Sequence, residues 1–226
     1  STLGGRTKNT FTNLPPLDVS HFSARPRDER LEKSLGLAPT DSVITYMGSF
    51  FHFSGLDTVI REFSKVAITN PALKLLLIGG GEQDAKLKNL VKGNNLDRRV
   101  IFTGFVPYTD LPRYLQLSTV AINPMLSRQV SNTAFPHKVL QYMASDIPVV
   151  STKLDGIFET FGAESGVTWA SGPEAVLAEA IAVAGDGARR KGAVQSQTDL
   201  VRRLLSVDRA VEEFEVVIEN AIGAAN

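Results

Sequence analysis

The chain has no cysteine among its 226 residues. That absence excludes disulfides, thiolate metal sites and thiol nucleophiles together, and it is compatible with a reducing compartment. Histidine is scarce as well: His21, His52 and His137 are the three copies, widely scattered and without metal-ligand spacing. Neither sign of charge is in excess, because 24 Lys and Arg balance 24 Asp and Glu. With no basic footprint, nothing calls for nucleic acid or an anionic membrane surface as a partner. No apolar run reads as a membrane span, nothing resembles a signal peptide, and no internal repeat or low-complexity segment appears.

What is present alternates. The stretch up to about Arg30 is rich in Pro, Ser, Thr and Arg with little periodicity and reads as a loop or linker, so residues 1–30 are expected to lead in from a preceding domain. From Ser42 onward, short apolar runs read as buried parallel strands: Val43 to Met47, Leu73 to Ile78, Val100 to Thr103, Thr119 to Asn123 and Pro148 to Ser151. Amphipathic helices separate them. Leu56, Val59, Ile60, Phe63 and Ala67 fall at helical spacing, as do Leu87, Leu90 and Val91. Strand and helix alternating in this way require crossover connections, which predicts an α/β fold with a doubly wound parallel sheet covered on both faces. Val167 to Trp169 reads as a last short strand. Helices follow over Glu174 to Ala184, within Gly187 to Leu205, and over Val207 to Ile222, the last with Ala210, Phe214, Val217, Ile218 and Ala221 on one stripe. The expected domain is 31–205, and 206–226 is a carboxyl-terminal helix capping it or reaching toward another domain.

In an open parallel sheet, ligands sit beyond the carboxyl ends of the strands, so the loops there are the candidates for chemistry. The first runs from Gly48 to Gly55, with Gly48 for a sharp turn and Ser54 as a cap for the next helix. It reads equally as a plain turn or as an anion site at a helix start. Its Phe50, Phe51 and Phe53 are costly to leave wet, so they fold into the core or pack against a ligand or second domain. The second loop, Gly79-Gly80-Gly81-Glu82, lacks the third glycine of a dinucleotide fingerprint at Asp84 and follows the second strand, not the first. A turn in which backbone approaches backbone is the better reading, ahead of a nicotinamide-dependent oxidoreductase. The third, Thr103 to Tyr108, is a rigid turn whose outward backbone groups suit either a turn alone or the edge of a base.

The fourth loop, Ser127 to Thr133, opens into a helix at Phe135-Pro136-His137-Lys138. Pro136 suits a first helical turn. At about 100° per residue, His137, Lys138 and Gln141 share one face, and Val139, Leu140 and Met143 share the other. A lysine in a first turn opposes the helix dipole by about 0.3 to 1 kcal/mol. It is an exposed lysine without a role, or one that an anion neutralises together with the helix end.

In order and spacing, these segments resemble the carboxyl-terminal, donor-binding half of a GT-B glycosyltransferase of the large group 1 retaining family. The resemblance runs from about Asn13 to Ala184. It is carried by Asp18 with Phe22 and Pro26; Tyr46-Met47-Gly48 with Ser54-Gly55-Leu56-Asp57; Leu77-Ile78-Gly79-Gly80-Gly81; Val100 to Pro107; Phe135-Pro136-His137-Lys138-Val139-Leu140-Gln141-Tyr142-Met143-Ala144; and Ile147 to Thr152. It implies a nucleoside diphosphate sugar as substrate, no further cofactor and no metal, and transfer of the sugar to a hydroxyl of a glycan or lipid-linked acceptor. It also implies an amino-terminal acceptor-binding domain as partner, a cytoplasmic location peripheral to the membrane through that half, and an isolated domain that binds donor with little turnover.

The implied donor-binding residues are Gly48, Ser49, Ser54, Val106, Arg128, Asn132, Thr133, Phe135, His137, Lys138 and Gln141. The backbone near Val106 pairs the base, Lys138 faces the diphosphate and stabilises the leaving group, and no other catalytic residue is assigned. The chain departs from the family's pattern at four of these positions. Gln141 and Thr133 stand where the family has glutamates for ribose and sugar hydroxyls, with Asn132 beside Thr133 also able to bond a sugar hydroxyl. Ser49 and Ser54 stand where it tends to have an arginine and a lysine against the diphosphate. Two other readings follow: a nucleotide-sugar epimerase of the same architecture, and a non-catalytic module that has lost donor binding.

Overall fold

The computed structural model describes residues 17–128 and 137–205, together with Val211, Glu215 and Ile218. The apolar runs form six strands: β1 (Ser42–Met47), β2 (Leu73–Ile78), β3 (Val100–Gly104), β4 (Val120–Asn123), β5 (Val149–Thr152) and β6 (Thr168–Ala170). They pair in parallel in the order β3-β2-β1-β4-β5-β6. The chain thus winds outward from β1 to β3, returns to the other side of β1 and winds outward again to β6. The direction of winding reverses between β1 and β4, and an open parallel sheet leaves a crevice at that switch point.

The helices are α1 (Val19–Phe22), α2 (Glu29–Ser34), α3 (Leu56–Ala67), α4 (Asp84–Gly93), α5 (Leu111–Leu115), α6 (His137–Ala144), α7 (Asp155–Phe161), α8 (Pro173–Gly185) and α9 (Gly187–Leu204). Side chains alternate across a strand, so each strand feeds two cores. Val43 and Met47 of β1 join Leu76, Ile78, Ala121 and Val149 under α6, α7 and α9. Ile44 and Tyr46 join Leu75, Leu77, Val120, Ile122 and Val150 under α3, α4 and α8. In α3 the expected stripe of Leu56, Val59, Ile60, Phe63 and Ala67 is the buried one. Burying a side chain of that size stabilises the fold by about 1.5 to 3 kcal/mol.

The entry segment differs from expectation. Residues 17–30 are not an irregular linker throughout, because Asp18 and Asp28 cap short helices by accepting hydrogen bonds from His21 N and Leu31 N. Phe22 is fully buried in the core beneath α6, and a boundary at residue 30 would cut α2. The reason is local: an aspartate at each helix start satisfies free N–H groups, and Phe22, with partly buried Leu17, Val19 and Leu31, then anchors the segment. Of the carboxyl-terminal segment, Val211, Glu215 and Ile218 are helical, and the rest of 206–226 lies outside the described residues. Among the described residues, no helix is long and apolar enough to cross a membrane.

Candidate functional site

The crevice at the switch point is bounded by the loop after β1 and the start of α6. Between them lies a cavity of about 640 Å³ lined by Gly48, Ser49, Phe51, Phe53 and Ser54 from the first loop and by His137, Lys138 and Gln141 from α6. Tyr46, Met47, Leu111 and Met125 complete its wall. Ligand pockets of roughly 300 to 1,000 Å³ accept drug-sized molecules. The two loops are held together where Leu126 N donates to Phe53 O at 2.8 Å.

The helix at Lys138 splits as its periodicity predicts. His137 is exposed, Lys138 and Gln141 are half-buried, and Val139, Leu140, Tyr142 and Met143 are buried. Lys138 Nζ reaches across the carboxyl end of β1, donates to Tyr46 Oη at 3.0 Å and lies 4.3 Å from the centre of the Tyr46 ring. Among the described residues, no carboxylate lines the cavity and no ion pair includes Lys138. The ammonium therefore faces an open cavity with only neutral partners.

The first loop divides its aromatics. Phe50 is fully buried in the core, whereas Phe51 and Phe53 stack on each other at 5.2 Å and face the cavity, Phe51 being 44% exposed. Ser54 does not cap α3. Gly55 holds the N-cap position in left-handed backbone, φ 71°, and a β-carbon there would stand 2.0 Å from the Pro124 carbonyl oxygen. With the cap position taken by a residue that only glycine can fill, Ser54 turns inward and its hydroxyl donates to Phe51 O at 2.5 Å. Ser49 contributes its carbonyl, which accepts from Tyr46 Oη at 2.9 Å.

The glycine run after β2 is a backbone-to-backbone contact. A β-carbon on Gly79 would stand 2.1 Å from Gly48 O, and one on Gly81 3.0 Å from Phe50 N, while Phe50 N donates to Gly80 O at 2.9 Å. These glycines shape the first loop from beneath. Glu82 extends the same support: it accepts from His52 N at 2.9 Å and lies 3.2 Å from His52 Nδ1. These contacts, the backbone N–H first, hold its carboxyl below the ordinary glutamate value.

Val106 is half-buried against the core and is not part of the cavity wall. Arg128 is exposed and likewise outside the wall. Asn132, Thr133 and Phe135 lie outside the described residues. Among those described, no group of three or more His, Cys, Asp or Glu is arranged to hold a metal ion.

Sequence reasoning missed Tyr46 and Tyr142 as parts of the site. Tyr142 Oη accepts from Met47 N at 2.7 Å and approaches Met47 O at 3.4 Å, and burial pushes its phenol well above the ordinary tyrosine value. The signal for it was available, since Tyr142 follows Lys138 by one helical turn and so shares its side of α6. Tyr46 carried no such signal, because a tyrosine inside an apolar strand reads as core.

Residues 41–187 match the family model described as glycosyl transferases group 1. A 2-deoxystreptamine N-acetyl-D-glucosaminyltransferase of Streptomyces fradiae is 26% identical over 99% of this chain and 56% of its own length. An N-acetyl-alpha-D-glucosaminyl L-malate synthase of Bacillus anthracis is 27% identical over 58% of this chain and 32% of its own. The chain thus spans little more than half the length of the first relative and a third of the second. Among solved structures, Anabaena HepE in complex with UDP-glucose superposes with a TM-score of 0.78 at 19% identity, over 97% of this chain and 59% of that one. The carboxyl-terminal domain of the Francisella tularensis group 1 glycosyl transferase LpcC superposes at 0.69 and 17% identity, over 83% and 97%. At those identities the superpositions speak for the fold.

Proposed function

This chain belongs to the group 1 glycosyl transferases, and from that premise we propose that its switch-point cavity binds a nucleoside diphosphate sugar whose diphosphate is held by Lys138. The observation that carries this reading is the Lys138 ammonium facing a cavity that no carboxylate among the described residues lines. A cation so placed, beside N–H groups in the first turn of α6, favours an anion. Phe51 and Phe53 add an apolar wall suited to a ring. In sugar transfer, the bond between the anomeric carbon and the diphosphate oxygen breaks, the diphosphate leaving with the electron pair, while a hydroxyl oxygen of the acceptor takes its place and gives up its proton to the leaving group or to solvent. Lys138 and the α6 dipole would then stabilise the charge growing on the departing diphosphate.

Ser49 and Ser54 add no cation to the cavity, since both side chains are neutral, and the Ser54 hydroxyl is already bonded to Phe51 O. Charge-assisted hydrogen bonds contribute about 1.5 to 3 kcal/mol each, so donor affinity on this half depends heavily on one lysine. The acceptor site belongs to a second domain in this reading, and this chain by itself binds donor with little turnover. A thermal-shift panel of UDP-, GDP-, ADP- and dTDP-sugars tests it: one member should raise the melting temperature, and a flat response to all of them overturns the proposal. That flat response is also what the module without donor binding predicts, the second reading, which the cation-free first loop favours.

A further inference from the structure

Tyr46 and Lys138 come from opposite sides of the sheet. Tyr46 projects into the core under α3 and α8, whereas α6 packs on the other face. Their contact is possible only over the end of β1, and the route passes above Gly48. A β-carbon on Gly48 would stand 3.0 Å from Lys138 Nζ and 3.3 Å from its Cε, and the backbone there has φ 133°. Glycine at this position leaves a notch through which the lysine side chain crosses.

The phenol at the end of that notch has one proton and gives it to Ser49 O, at 2.9 Å. Its lone pairs are thereby left for Lys138 Nζ at 3.0 Å, and the same ammonium lies 4.3 Å from the ring centre. Lone pair and ring face grip one cation together, and both are neutral. A carboxylate in that place would cancel the charge, whereas a phenol holds it and leaves it available. Tyr46 itself is only 1% exposed, so its position is set by the core and not by the ligand.

We propose that Tyr46 is the positioning residue of the phosphate site: its phenol seats the Lys138 ammonium above Gly48 and, through Ser49, fixes the first loop in register with it. The inference rests on the reading of this cavity as a nucleoside diphosphate site. A lysine side chain loses much rotamer entropy when an anion fixes it, and seating it beforehand removes part of that cost from binding.

The test is a double-mutant cycle on the full chain, with affinities measured by calorimetry for whichever of UDP, GDP, ADP and dTDP binds. Tyr46→Phe keeps the ring and removes the hydroxyl. It should weaken binding about threefold to tenfold, the scale of one immobilised long side chain, and should have less than about a twofold effect in the Lys138→Ala background. Equal losses in both backgrounds would show a role in folding alone and overturn the proposal. If Lys138→Ala weakens binding and Tyr46→Phe does not, the positioning role fails while the phosphate reading stands. If Lys138→Ala has no effect, both fail.

Discussion

Tyr142 completes the hydrogen bonding of Met47. The pairing of β1 with β4 covers Ile44 with Val120 and Thr45 with Ala121 and goes no further. Gly48 N turns toward β2, where it donates to Ile78 O at 2.9 Å, so strand alternation turns the N–H and C=O of Met47 toward the side that β4 has left. The Tyr142 hydroxyl takes the place of the missing strand, accepting from Met47 N at 2.7 Å. The switch point is thus opened without leaving a buried amide unpaired, and α6 is tied to the end of β1 one turn after Lys138.

Tyr142→Phe should therefore destabilise the chain by about 1 to 3 kcal/mol, the cost of a buried N–H left without a partner. Urea unfolding measures it. A midpoint equal to that of the parent would show that the phenol adds nothing beyond packing.

Lys138→Ala should weaken nucleoside diphosphate binding by about tenfold or more, since one charge-assisted contact contributes about 1.5 to 3 kcal/mol. Calorimetry is the measurement. Melting temperature should change little, because Lys138 is only half-buried and Tyr46 keeps its bond to Ser49 O without it, and an unchanged dissociation constant would remove Lys138 from the phosphate contact.

Two glycine substitutions separate backbone strain from steric clash. Gly104 has φ 70° with open space around it, so Gly104→Ala should cost about 1 to 2 kcal/mol from the left-handed backbone alone. Gly79→Ala meets Gly48 O at 2.1 Å as well and should cost clearly more. It should also weaken nucleotide binding by displacing the first loop. Denaturant midpoints that rank the two in the opposite order would contradict the close approach.

Acid should unpick the anchor of α2. Asp28 Oδ1 accepts from Leu31 N at 3.0 Å while Oδ2 accepts from Arg113 Nη2 at 2.7 Å. The backbone N–H and then the guanidinium hold its carboxyl below the ordinary value of 3.8. A carboxyl depressed on folding contributes stability that is complete above its ordinary value and is lost as pH falls through the lower, folded-state value. The melting-temperature gap between the parent and Asp28→Asn should be constant near neutrality and should close below roughly pH 4. A gap that persists unchanged into that range would show that the pairing carries no linked proton.

The elements of the fold were legible because each is specified locally. The run Leu75 to Ile78 is apolar throughout because both faces of a parallel strand are buried, and the stripe from Leu56 to Ala67 has the helical period. The entry segment is not legible in the sequence because Phe22 is its one fully buried apolar side chain, with Leu17 and Val19 only partly buried beside it, and so short a set leaves no period. Of the site, the polar face of His137, Lys138 and Gln141 was legible from the same helical geometry. The role of Ser54 was not, because whether a serine or the following glycine caps a helix depends on the Pro124 carbonyl, which arrives from a distant part of the chain.

By itself, the sequence determined which segments are strands and helices, that the sheet is parallel and doubly wound, and that α6 carries in its first turn a lysine opposed to its own dipole. Only the tertiary structure decided what that lysine meets. Lys138 and Tyr46 are far apart in the chain and lie on helix and strand from opposite faces of the sheet, so no periodicity relates them. Their contact exists because β1 and β4 part at the switch point, Tyr142 caps the strand end that this exposes, and Gly48 leaves room for the lysine to cross.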